Sequence, residues 1–137
     1  MSEETICRRL VGRTAVITGA GSGIGLATAR RLASEGAHVV CGDVDEARGK
    51  AAAEETGGTF VNADVTDPEQ VEALFGAAHD TYGSVDIAFN NAGISPPDDD
   101  SILETSLEAW KRVQEVNLTS VYLCCKAAIP YMRRQGR

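Results

Sequence analysis

One stretch limits the possible folds more than any other: Thr18-Gly19-Ala20-Gly21-Ser22-Gly23-Ile24-Gly25. A short apolar run from Thr14 to Thr18 precedes it, bounded by Gly12 and Gly19, the pattern of a strand buried on both faces. Helical periodicity follows at once. Leu26, Ala29 and Ala33 fall at i, i+3 and i+7, Arg30, Arg31 and Glu35 take the opposite, wet side, and Gly36 supplies the stop. A strand that turns directly into a helix needs glycine at the bend. Gly19 permits the sharp turn, and Gly23 permits close approach of the backbone to a pyrophosphate. The helix beginning near Gly23 offers unpaired N–H groups and the positive end of its dipole. The spacing is not G-x-G-x-x-G, because Ile24, Leu26 and Thr28 stand where a third glycine would be required. It is T-G-x-x-x-G-x-G.

The same alternation continues along the chain. The pattern predicts a strand at 38–41, a helix opened by Asp45 and closed by Gly57-Gly58, and a strand at 59–62. Asp67 as cap, Pro68 in the first turn and Gln70 three residues after the cap mark the next helix, with Val71, Leu74, Phe75 and Ala78 on one face. A fourth strand is expected over 85–90. After a loop from Ala92, Thr105 and Glu108 read as a capping box for a long helix carrying Trp110, Val113, Val121 and Ala128 toward Arg134. Strands alternating with helices imply an α/β fold, a doubly wound parallel sheet of Rossmann type with strand order 3-2-1-4. The order reverses between the first and fourth strands, so the turns after Thr18 and after Asn90 should face one crevice. Residues 1–10 read as an N-terminal tail and 11–137 as a single dinucleotide-binding domain, incomplete at its C-terminal end.

Asp43 ends the expected second strand, 20 residues beyond Gly23, where a carboxylate can accept both ribose hydroxyls of an adenosine. Asn90-Asn91-Ala92-Gly93 follows the fourth strand. Small residues there let the loop press against a bound cofactor, and the asparagine amides can fix it to neighbouring strand ends. With T-G-x-x-x-G-x-G about seventy residues earlier, the chain resembles the short-chain dehydrogenase/reductase family from about Val11 to Arg137. The resemblance implies cofactor contacts from Gly19, Ser22, Gly23, Ile24, Gly25, Asp43, Asn91, Ala92 and Gly93, with Asp64-Val65 at the adenine. It also implies that Asn117 is the family's active-site asparagine, at a backbone kink with a water that passes protons to a lysine.

By the same resemblance a serine, a tyrosine and a lysine four residues on should complete the chemistry beyond a fifth strand, and they are not among these 137 residues. Tyr122 and Lys126 match Y-x-x-x-K literally. They follow Asn117 in one helix, and Ala109 stands 13 residues before Tyr122 where a serine is needed, so they read as packing. Asp98, Asp99 and Asp100 are consecutive on one loop and cannot all converge on an ion, so no metal is expected. A net charge of −7 with only short basic pairs excludes nucleic acid and anionic membrane as partners. Four cysteines without C-x-x-C spacing, no signal-peptide pattern and no long apolar run suggest a cytoplasmic setting. The expectation is an NAD-dependent oxidoreductase moving a hydride between NAD(H) and a small alcohol or ketone, as a homodimer or homotetramer. A 3-oxoacyl thioester reductase, a sugar or polyol dehydrogenase and a steroid-type dehydrogenase are all open. The alternative is a non-catalytic NAD-binding module or a truncated product.

Overall fold

The computed structural model describes residues 7–137, so residues 1–6 of the expected tail lie outside the described residues. Strands β1 (Thr14–Thr18), β2 (His38–Asp43), β3 (Thr59–Asn62) and β4 (Ile87–Phe89) form one parallel sheet in the order β3-β2-β1-β4. Helices α1 (Gly23–Ser34), α2 (Glu46–Thr56) and α3 (Pro68–Tyr82) connect them, and α4 (Leu107–Gln114) and α5 (Ser120–Gln135) follow β4.

Side chains alternate across a strand, so each inner strand feeds both faces of the sheet. Val16 and Val40 pack with Val71, Leu74 and Phe75 of α3 and with Cys124 and Ala128 of α5. Ile17, Val39 and Cys41 pack with Ala29 of α1 and Ala52 and Ala53 of α2. Two covered faces are the reason β1 and β2 read as unbroken apolar runs. The helix ends follow local chemistry. Asp45 accepts from the backbone N of Arg48, Asp67 accepts from Glu69 and Gln70, and Gly57 and Gly83 close α2 and α3 in the left-handed region.

Four expectations need correction. Glu35 is 2% exposed rather than wet: Arg9 and Arg31 both reach its carboxylate, at 2.8 and 2.7 Å. A partner 26 residues earlier in the chain overrides the helical periodicity. The cap of α4 is Ser106, whose hydroxyl accepts from Ala109 N, while the Thr105 hydroxyl is taken by Asp100 N inside the preceding loop. Strand β4 is shorter than 85–90 and begins two residues later, because Val85 N and O bond the Gln135 side chain instead of a neighbouring strand. The long helix is not continuous. A π turn, Glu115–Thr119, separates α4 from α5, and Ser120 Oγ donates back to Val116 O beside it. Within α4, Trp110 is half exposed while Ala109 and Val113 face the interior.

Candidate functional site

The carboxyl ends of the four strands open onto a crevice of about 480 Å³ at the point where the sheet order reverses. Its lining brings together Gly19, Ser22, Gly23 and Ile24 from the first turn, Asp43 from β2, Asp64 and Val65 after β3, and Asn91, Ala92 and Gly93 after β4. Val44, Ala63, Ile94 and Val116 complete the wall. Of the expected cofactor residues only Gly25 does not line it. Gly25 is buried behind the turn, where a Cβ would stand 2.0 Å from the Gly19 carbonyl oxygen. Its smallness lets α1 start directly against the bend.

The first turn is built to leave donors free. Ser22 caps α1 with no side-chain hydrogen bond, and no acidic residue occupies the first turn of that helix. The leading N–H groups of α1 therefore face the crevice without an anionic side chain of their own. Asp43 is oriented from both sides. Gly21 N donates to Oδ2 at 2.8 Å and Asp45 N to Oδ1 at 2.9 Å. Each carboxylate oxygen keeps acceptor capacity beyond its single backbone donor. Asp64 Oδ1 accepts from both the backbone N and the hydroxyl of Thr66, and its own N–H is held by Gln70, so the Asp64-Val65 backbone has one defined path along the crevice.

Two side chains hold the halves of this site together: Thr18, whose own role the sequence reading did not single out, and Asn117, which it named by resemblance. Thr18 is 2% exposed, and its hydroxyl oxygen accepts from Asn91 N at 3.0 Å and Ala92 N at 3.1 Å. Asn91 Nδ2 returns the link by donating to Thr18 O and Gly19 O. The positive φ of Gly19, +66°, and its lack of a Cβ let the turns touch, since a Cβ there would come 3.0 Å from Ala92 Cα. Thr18 heads the T-G-x-x-x-G-x-G pattern, and its place at the end of β1 directly before the glycine turn was the available signal. Asn117 is the second device. It lies in the π turn, donates from Nδ2 to Ile94 O at 2.9 Å and accepts from Ile94 N at 2.7 Å. There the amide pins the segment leaving Gly93.

The remaining motifs stand apart from the crevice. Tyr122 is 61% exposed with Lys126 Nζ 5.8 Å from its ring centroid, and neither lines the site. Asp98 pairs with Arg112 at 2.6 Å, which lowers the carboxyl pKa through that hydrogen bond. Among the described residues no group of three or more His, Cys, Asp or Glu is placed to hold a metal ion. Burial pushes the Cys124 thiol up to about 11, consistent with packing rather than reactivity. Among the described residues no helix is long and apolar enough to cross a membrane.

Residues 19–137 match the family model described as enoyl-(acyl carrier protein) reductase. The chain is 44% identical over 128 residues to borneol dehydrogenase, mitochondrial, of Lavandula x intermedia, a match covering 93% of this chain and 49% of that protein. It is 47% identical over 128 residues to cis-4-hydroxycyclohexanecarboxylate dehydrogenase of Sinomonas cyclohexanicum, covering 90% of this chain and 51% of the relative. To 3beta-hydroxysteroid dehydrogenase 1 of Eggerthella lenta it is 47% identical over 131 residues, covering 89% and 48%. The chain spans about half the length of the curated relatives it matches.

Proposed function

The chain belongs to the short-chain dehydrogenase/reductase family, and from that premise we propose that the whole protein moves a hydride between NAD(H) and an alcohol or carbonyl substrate. Proteins of this family are oxidoreductases that use nicotinamide cofactors. The residues present suit such a group. The free N–H groups at Ser22, Gly23 and Ile24 suit a pyrophosphate, Asp43 suits a ribose diol, and Asp64 and Val65 flank the space for an adenine. When bound, the nicotinamide supplies the hydride exchange. The residues of this chain bind and orient it: Thr18 and Asn91 lock the first and fourth turns into one wall, and Asn117 holds the strand-four loop against it.

The observation that carries NAD(H) over NADP(H) is Asp43 at the crevice rim with both oxygens fixed. A 2′-phosphate would bring like charge to a group oriented to accept hydrogen bonds. At about 5 Å and an effective dielectric near 20, one pair of unit charges repels by roughly 3 kcal/mol, reduced by solvent and salt at a rim. Even about 1.4 kcal/mol gives a tenfold preference. Both cofactors should be titrated into the protein and into Asp43→Ala. The expected result is at least a tenfold preference for NAD(H) that collapses in the variant. Equal affinities in the unaltered protein, or an unchanged ratio in the variant, would overturn this assignment.

The names of the three relatives above all describe oxidation of a hydroxyl carried on a ring, and ring-borne secondary alcohols are accordingly the first substrates to try. A 3-oxoacyl thioester, reduced at its 3-keto group, is the second, in keeping with the acyl-carrier-protein substrate named in the description of the matching family model. Homodimeric or homotetrameric association belongs to the same proposal and is supported by the exposed stripe Leu118, Tyr122 and Ile129 along the long helix. So does a cytoplasmic setting, supported by the buried thiols Cys41 and Cys124, although one relative carries the word mitochondrial in its name.

A further inference from the structure

The glycine-rich turn and the first turn of α2 meet beside Asp43. A Cβ on Gly21 would stand 2.8 Å from Arg48 Cβ and 2.9 Å from Asp43 Oδ2, so the stem of Arg48 begins next to the carboxylate assigned to the ribose. A guanidinium rooted there has the reach to enter the ribose end of the crevice. In the structure it is turned toward Asp45 instead, with Nε 3.5 Å from Asp45 Oδ2. Asp45 also accepts Arg48 N through Oδ1 and donates its own N–H to Asp43, which ties all three residues into one local unit. The ion pair is exposed on both sides, 67% for Arg48 and 45% for Asp45, and such pairs are weak.

We infer that Asp45 is a specificity-determining residue for the dinucleotide: by engaging the Arg48 guanidinium at the N-terminus of α2, it withholds a cation from the place where a 2′-phosphate would lie. Discrimination then rests on two carboxylates with different roles. Asp43 repels the phosphate, and Asp45 denies it a partner. This inference rests on the proposed contact between Asp43 and the ribose. It has a clean probe, because asparagine is as good a helix cap as aspartate and Asp45→Asn removes the charge while keeping the cap.

The experiment measures NADH and NADPH dissociation constants, by nicotinamide fluorescence, for the unaltered protein, Asp43→Ala, Asp43→Ala with Asp45→Asn, and that pair with Arg48→Gln. Far-UV circular dichroism checks α2 in each. The double variant should bind NADPH about fivefold more tightly than Asp43→Ala, the size of one exposed charge pair. NADH affinity should stay the same, and the gain should vanish at high salt and in the triple variant. An unchanged NADPH affinity in the double variant, or a gain that survives removal of Arg48, would overturn the role of Asp45 while leaving the ribose contact standing. If Asp43→Ala by itself leaves the cofactor ratio unchanged, the ribose contact and this inference fall together.

Discussion

Gly23 carries a φ of +53°, and a Cβ on it would meet no protein atom within 4 Å. Any side chain there is both strained and directed into open space at the wall of the crevice. Gly23→Val should cost roughly 1–2 kcal/mol of stability from the left-handed backbone. It should weaken dinucleotide binding by about tenfold or more, as calorimetry would show, and unchanged affinity would count against this turn as the phosphate site. Glu35 raises a different question at the same scale. Hydrogen bonds from the Arg9 side chain and backbone, with help from Arg31, hold its carboxyl at about 2 against an ordinary 4.5, in spite of burial. The folded state thus binds its proton less readily than the unfolded chain. The stabilising contribution is complete above about pH 4.5 and is lost as pH falls toward 2. Glu35→Gln should lower the urea midpoint at neutral pH, and the gap from the unaltered protein should close on acidification. A gap independent of pH would show that the charge is immaterial.

Among the elements, the interrupted helix after β4 does the most to shape the site. A regular helix through 115–119 would present Asn117 differently. The π turn, with the Ser120 hydroxyl bonded to Val116 O, sets Asn117 against both polar backbone atoms of Ile94. Asn117→Ala removes two hydrogen bonds, worth about 1 kcal/mol or slightly more where water can replace them. The readout is local. Hydrogen exchange at the Ile94 amide should accelerate several-fold while the amides of β1 keep their protection. Acceleration spread evenly over the sheet would mean that Asn117 serves global stability rather than the loop.

For the whole molecule, catalysis needs a proton donor at the crevice as well as a cofactor. None of the three tyrosines in the sequence lines it, and the Tyr122–Lys126 pair lies on the exposed face of α5. Residues 1–137 alone should therefore neither oxidise NADH with any ketone nor reduce NAD+ with any alcohol. Sustained turnover by the pure 137-residue chain would refute this. The β4 edge bears on the same point. Among the described residues β4 pairs only with β1, and its three residues are half-buried, a geometry that invites a further strand.

What the sequence determined by itself is whatever local physics and chain order can carry. The alternation of apolar runs with capped amphipathic helices specified the parallel sheet and its order. The placement of the glycine turn, Asp43 and Asn91-Ala92-Gly93 after successive strands was enough to bring them to one crevice, because strand ends in such a sheet all point the same way. Tertiary structure decided the partners. Glu35 looked solvent-facing until Arg9 folded back onto it, and Thr105 looked like a cap until Asp100 took its hydroxyl. The contact of Asn117 with Ile94, and those of Thr18 with Asn91 and Ala92, came only with the fold. In each case a side chain with several acceptable hydrogen-bond partners is committed by a residue distant in sequence or by the path of a loop. Periodicity and propensity contain no term for such a contact.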